Sequence, residues 1–317
     1  AEMIVAAFAL ILGLVLGVAA LMGGSAAAAA PTIPFSGFAI VLVMFIALFA
    51  GGVHIGIALG TLALIGGFLL SDRPFWNFIG EMLWAPSTNF VLVAVPLFLL
   101  MGEIMLRAGL SHRLFAAMNV WVGRLPGGLL HTNILASSVF SAIAGSSVAT
   151  AATMGSVALP YFERSKYPPR LVLGSLAAGG ALGNLIPPGI TFIIYGLLTE
   201  TSVGALYMAA VGPSVLVVAL FILLIVWLTR GRDLGAHDAP PPDWNARLAS
   251  IVDLVPTALL IGLVLGSIYS GLATPTESAA LGVIGAIALG IVDRRLSLRL
   301  LHESLVATAR TTSMIAL

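Results

Sequence analysis

Of 317 residues, 60% are hydrophobic and 9% charged, with a mean hydropathy of +1.11; a soluble domain carries roughly 25% charged residues, so the composition specifies a polytopic membrane protein. The net charge of +1 gives no argument for a nucleic acid or an acidic polymer as partner. The absence of Cys excludes disulfides, thiolate metal sites and cysteine nucleophiles, and leaves the redox compartment open.

The chain opens at Ala1 rather than Met, which reads as a start that is missing or processed. Met3 to Met22 is apolar, and the small-residue run Ser25 to Ala30 and Pro31 follow it. A cleavable signal would show a basic stretch ahead of such a segment. None is present, and about 20 residues suffice to span a bilayer, so a first transmembrane helix is the preferred reading. Between Glu2 and Asp72 the only ionisable side chain is His54.

Further apolar segments fall at Phe38–Ala50, Val53–Leu70, Phe90–Leu106, His131–Pro160, Leu171–Leu198, Val203–Thr229, Ile251–Tyr269, Ser278–Val292 and Leu300–Leu317. The last stops while still helical in pattern, so the chain reads as truncated or incomplete. Four basic groups punctuate the segments: Arg107, Arg113 and Arg124; Arg164, Lys166 and Arg170; Arg230, Arg232 and Arg247; Arg294, Arg295 and Arg299. Placing all four on the cytoplasmic side satisfies the positive-inside rule. Trp121 with Arg113 and Arg124 then reads as an interfacial amphipathic stretch, and Glu103 with Arg107 as an i,i+4 pair at a helix end.

With that orientation, both ends of His131–Phe162 are cytoplasmic. Two arms of about 16 residues reach roughly 24 Å each, short of a core of about 30 Å. The segment is therefore expected to be a re-entrant hairpin with its tip near Ala144 to Ser147. Leu171–Leu198 crosses once and is broken at Pro187-Pro188, where each proline lacks an N–H and the second disfavours helical geometry at the first. Tip and break are expected at similar depth. Gly52–Gly60 and Leu272–Gly282 both reverse between apolar arms and share Ala-Leu-Gly, entering from opposite sides, which is the pattern of an inverted repeat.

Gly145 to Gly155 places Ser146, Ser147, Thr150 and Thr153 in apolar surroundings, with Ser141 just ahead. Hydroxyls and unwound backbone carbonyls are hard oxygen ligands that suit Na⁺, and the start of the second arm offers free N–H groups suited to an anion. The competing reading is that small residues let helices approach closely and hydrogen-bond to i−4 carbonyls. Gly183 to Gly189 carries Asn184 and Pro187 inside a segment that frees more carbonyls than a packing kink needs. Sodium would find ligands at Ser146, Ser147 and Asn184. Glu277 follows a proline turn and fits a helix cap with Thr274 or Thr276, with ion or proton coupling as the alternative. Glu200 reads as a solvated carboxylate at the outer face, and His54 as a turn residue, although an intramembrane ionisable group is a functional candidate. No Walker-type loop, metal-ligand spacing or nucleophile elbow is present, so an enzyme is not expected and no cofactor is called for.

The stretches Ser141–Gly155, Leu176–Gly189, Tyr195–Gly196 with Thr199–Ser202, and Ala273–Ala280 resemble the large membrane subunit of tripartite ATP-independent periplasmic transporters. The resemblance covers about Phe38 to Leu317. It implies an elevator-type importer of dicarboxylates or sugar acids in the bacterial inner membrane, with Na⁺ as coupling ion. A periplasmic substrate-binding protein would feed it, beside a small four-helix membrane subunit. Ser146, Ser147 and Thr150 would lie at the first hairpin, and Gly183, Asn184 and Pro187 at the broken helix facing it, with Gly145, Thr153 and Glu277 as secondary candidates. The family continues through a second hairpin and broken helix, which would lie beyond Leu317, and it commonly has Pro where this chain has His54.

The expected fold is an all-α polytopic membrane protein, an inverted-repeat, ion-transporter-like elevator fold with a re-entrant hairpin and a broken helix, its second repeat largely missing. Residues 1–36 would form the first helix and a linker, 37–130 scaffold helices with an interfacial helix, and 131–200 the hairpin and broken helix. A transmembrane helix and cytoplasmic loop would occupy 201–250, and the start of the second repeat 251–317. The alternative is a truncated, transporter-derived chain acting as a structural helical component of a larger membrane assembly.

Overall fold

The computed structural model describes residues 35–53, 55–70, 80, 81, 84, 88–230 and 243–316; the Met3–Met22 segment and His54 lie outside them. The chain divides into two compact units, Ala1–Asn77 and Phe78–Leu317, and each is taken by itself.

In the first unit α1 (Phe35–Ala50) and α2 (Ile55–Leu70) pair as a helical hairpin. The turn between them is made by Gly51 and Gly52, with the Gly51 N–H donating to the Ala47 carbonyl at 2.9 Å. Neither helix contains a charged residue.

The second unit begins with a 3₁₀ turn, Phe90–Val93, capped by the Asn89 side chain, that runs into α3 (Ala94–Arg107). It continues through α4 (Leu110–Val122), α5 (Gly128–Ala144), α6 (Ser147–Glu163) and α7 (Pro169–Ala181). A 3₁₀ turn at Leu182–Asn184 and the short α8 (Ile190–Leu198) follow. The unit is completed by α9 (Val203–Thr229), α10 (Trp244–Tyr269), α11 (Pro275–Val292) and α12 (Leu298–Ala316). Among the described residues four stretches, Phe90–Arg107, α9, α10 and α11, are long and apolar enough to cross a membrane. The chain is a multi-pass membrane protein.

Two apolar cores organise this unit. One is centred on α3, whose Phe98, Met101, Ile104 and Met105 are fully buried against α8, α10 and α11. The other gathers α4 with the arms α5 and α6 and with α7 around Leu114, Phe115, Ile134, Phe140 and Met154. The arms α5 and α6 have 17 residues each, roughly 26 Å of helix, so the hairpin has the length expected of it.

Contacts at one end of the unit bring members of the basic groups near one another. Arg113 reaches Asp253 and Asp293, Arg107 reaches Glu103 and Glu303, and Arg295 donates to the Ala108 carbonyl. Trp121 donates to Ser250 beneath Arg247, and the Leu129 N–H donates to Tyr167 beside Arg164 and Lys166. At the other end the turns at Asn89, Glu200 and Thr274 line a common pocket of about 520 Å³. The basic loops thus lie at one end, with acidic partners among them, and the turns of Glu200 and Glu277 at the other, in keeping with the positive-inside reading.

One reading is extended and one corrected. Arg113 and Trp121 are tied to the fold, Arg113 by ion pairs to Asp253 and Asp293 and Trp121 by its hydrogen bond to Ser250 of α10. Leu300–Leu317 is not a uniformly apolar segment: α12 is amphipathic, packing along α3 and presenting Arg299, His302, Glu303 and Arg310 on its polar face.

Candidate functional site at the hairpin tip and helix break

The site is built by four helix ends. At the C-terminus of α5 the chain turns through Gly145, which holds φ +60 and whose N–H closes on the Ser141 carbonyl. Left-handed backbone disfavours a Cβ, and here a Cβ would also collide with the Pro188 carbonyl oxygen. Ser146 then caps α6, its Oγ accepting from the Ala149 N–H at 3.4 Å. This cap satisfies one of the free N–H groups that every helix start leaves.

Facing the tip, α7 ends at Ala181 and the chain passes through Leu182–Asn184 and irregular backbone before α8 starts at Ile190. The break therefore begins about one and a half turns before Pro187-Pro188. Gly179, Gly180 and Gly183 lower helix propensity there, and the prolines then prevent recovery. The Pro187-Pro188 peptide bond is cis.

Two hydrogen bonds join tip and break. The Ile190 N–H donates to the Gly145 carbonyl at 3.0 Å, and the Ser147 N–H donates to Asn184 Oδ1 at 3.3 Å. Gly183 permits the approach: a Cβ there would stand 2.5 Å from the Ser146 carbonyl oxygen and 2.7 Å from Ser147 Cα. Hairpin tip and broken helix are thus in direct backbone contact.

The candidates distribute unevenly over this arrangement. Gly145, Ser146, Ser147, Gly183 and Asn184 come together. Ser147 is half-buried with its hydroxyl unbonded, and Asn184 is exposed. Thr150 and Thr153 lie one and two turns into α6, buried, with hydroxyls that find no partner. Pro187 is buried and lines an apolar cavity that also borders α5, α9 and α10. Glu277 lies elsewhere, at the acidic outer turn, where the carboxylate accepts from the Thr274 N–H and Oγ1 at 2.8 Å each in a capping box. Pro188, Gly189 and Ile190 were missed as tip partners; the only signal was their position just after the double proline.

No Asp, Glu, Lys or Arg occurs in 131–162 or 171–199, so the electrostatics of the site are set by backbone. The N-termini of α6 and α8 bring partial positive charge and the C-termini of α5 and α7 partial negative charge, each about half a unit. Such an array can accommodate a small hard cation at the carbonyl ends and an anionic group at the N–H ends.

Residues 42–317 match the tripartite ATP-independent periplasmic transporter family, DctM component. The chain belongs to this family. It is 32% identical over 274 residues to the sialic acid transporter large permease SiaM of Vibrio cholerae, covering 86% of this chain and 64% of that protein. It is 39% identical over 202 residues to the C4-dicarboxylate large permease DctM of Pseudomonas aeruginosa, covering 64% and 47%. The 2,3-diketo-L-gulonate large permease YiaN of Escherichia coli is 29% identical over 283 residues, covering 86% and 65%. The chain therefore spans about half to two thirds of the length of these DctM-component relatives.

Proposed function

We propose that this chain contributes the first hairpin and broken helix of a Na⁺-coupled importer of organic anions of the dicarboxylate or sugar-acid type. It would act as the large membrane subunit in the bacterial inner membrane, beside a small four-helix subunit, and would receive cargo from a periplasmic substrate-binding protein. Carriage would be by elevator movement of the hairpin and break as one body. The observation that supports this reading is the meeting of four helix ends through the Ile190 to Gly145 and Ser147 to Asn184 hydrogen bonds. Every donor there is neutral oxygen or backbone N–H, which fits a monovalent cation beside an anion and offers no carboxylate for a divalent one. The names of the three relatives all specify organic acids.

The test is uptake by the complete complex with its binding protein in liposomes. Replacing the Na⁺ gradient by K⁺ should abolish uptake, and unchanged uptake would sink the reading. Ser147→Ala is the sharper variant, because the Ser147 hydroxyl makes no hydrogen bond in the fold whereas Ser146 caps α6. It should raise the half-saturating Na⁺ concentration about tenfold, equivalent to ~1.4 kcal/mol, at unchanged melting temperature.

A further inference from the structure

Behind the helix break lies a cavity of about 570 Å³ that the ion and anion chemistry does not use. Its walls are Val139 and Ala142 of α5, Ile186 and Pro187 of the break, Val218 of α9 and Leu265 of α10. The volume falls within the roughly 300–1,000 Å³ of small-molecule sites.

Three polar side chains border it, and all three have given their hydroxyl hydrogen to a backbone carbonyl. Ser138 Oγ donates to the Leu135 carbonyl at 2.8 Å, Ser214 Oγ to the Leu185 carbonyl at 3.0 Å, and Tyr269 OH to the Tyr207 carbonyl at 3.4 Å. No side-chain donor remains for an organic acid, and the three hydroxyl oxygens left as acceptors are neutral and set in an otherwise apolar wall. An empty space this large would forfeit dispersion contacts along every wall.

The mouth of the cavity opens on the exposed face of α9. Val211 and Val215 line it and are 42% and 65% exposed. Both belong to α9, which with α10 is among the helices apolar enough to cross a membrane and the least buried of them, at 17% and 22% of the apolar window. Surfaces this apolar on helices of spanning length fit hydrocarbon better than water, and the cavity opens onto them.

We propose that this cavity is a lipid site, occupied by an acyl chain of a membrane phospholipid entering between α9 and α10 and lying against Ile186 and Pro187. The chain replaces the packing that the break withdraws from α7 and α8. Recognition is by the tail alone, since no charged side chain borders the cavity.

The inference does not depend on transport, so it is read on the purified full chain. Native mass spectrometry after washing in detergent, with phosphatidylglycerol and phosphatidylethanolamine of identical tails as probes, should show one phospholipid retained per chain whichever headgroup is supplied. Ala219→Phe, which fills the cavity from α9, should lower retention about tenfold, a change of ~1.4 kcal/mol. Ala209→Phe, on the exposed surface of the same helix, should leave it unchanged. Val218→Asn, which sets an unpaired amide in the wall, should lower retention as well and stands in should Ala219→Phe fail to fold. Equal retention by wild type and both cavity variants, or retention that follows the headgroup, overturns the proposal.

Discussion

The hairpin side and the scaffold side of the second unit are both helical and both apolar, yet they are held by different means. Around α3 the contacts are made by large side chains, with Phe98, Met101 and Ile104 fully buried, and the rim is tied by ion pairs from Arg107 and Arg113. Around α5, α6 and α7 a core of large side chains is joined by close approaches at glycine. Gly179 rests on Ser137, Gly180 on Ala151 and Gly183 on Ser146, while the hydroxyls of Ser137, Thr150 and Thr153 are buried without partners. Large side chains tolerate repacking, because total volume can be conserved with different shapes. Backbone contacts leave no such freedom, and a buried unpaired hydroxyl calls for an explanation beyond packing. Unpaired buried hydroxyls also occur on the scaffold side, at Tyr207, Thr257 and Ser304, so what sets the hairpin side apart is the close glycine approach at its tip.

The largest effect should come from removing the room that backbone contact requires. Gly183→Ala drives a Cβ into the Ser146 carbonyl, and overpacking of this kind costs about 1–3 kcal/mol. Gly145→Ala adds a left-handed backbone cost of about 1–2 kcal/mol to its collision with Pro188. Thermal unfolding of both variants, against a scaffold change of similar size such as Ile104→Val, at about 0.5–1.5 kcal/mol, would break the comparison if the glycine variants proved no worse.

Asn184→Ala removes the acceptor for the Ser147 N–H. Because Asn184 is exposed, the expected cost is about 1 kcal/mol or less, with uptake by the complete complex falling by a larger factor than stability accounts for. A parallel decline of uptake and melting temperature would reduce the residue to a structural link. On the scaffold side, Arg113→Ala leaves Asp253 and Asp293 without their shared guanidinium. These groups are a quarter to two fifths exposed, so a loss of about 1 kcal/mol is expected, shrinking in high salt. Lys at the same position should restore only part of it, since the two carboxylates are held by separate arms of one planar fork.

The smallest effect concerns pH. The hydrogen bond from Arg299 holds the Glu303 carboxyl below the usual carboxylate range, with Arg107 adding to it. A lowered folded value stabilises above the unfolded one and is lost as pH falls through it. The protection factors of α12 amides, corrected for the intrinsic pH dependence of exchange, should therefore be flat from pH 7 to pH 5 and fall below about 4.3, and Glu303→Gln should abolish that step.

Much of the site was legible in order along the chain. The double proline announced a break, and the charge-free, hydroxyl-rich run from Ser141 to Thr153 announced a tip, because both violate what an apolar spanning helix needs. The capping box at Thr274 and Glu277 could be read from spacing alone, since its partners are three residues apart. The partners of Arg113 could not: Asp253 and Asp293 lie 140 and 180 residues away, and a basic residue near a helix end looks the same whether it faces lipid headgroups or a carboxylate. The amphipathic character of α12 was hidden for a related reason, because Ser304 and Thr308 are buried and interrupt the apolar face.

The sequence by itself determined that this is a multi-pass helical membrane protein, where its helices break, and which end carries the positive loops. Those properties follow from composition and from local backbone chemistry, which act within a few residues. Tertiary structure alone decided which side chains are spent on the fold and which remain free. Ser146 became a cap and Glu277 half of a capping box, Pro187 came to face an apolar cavity, and Ser147 kept its hydroxyl unbonded. A hydroxyl or carboxylate has the same capacity wherever it stands, and only the neighbours that packing brings to it settle how that capacity is used.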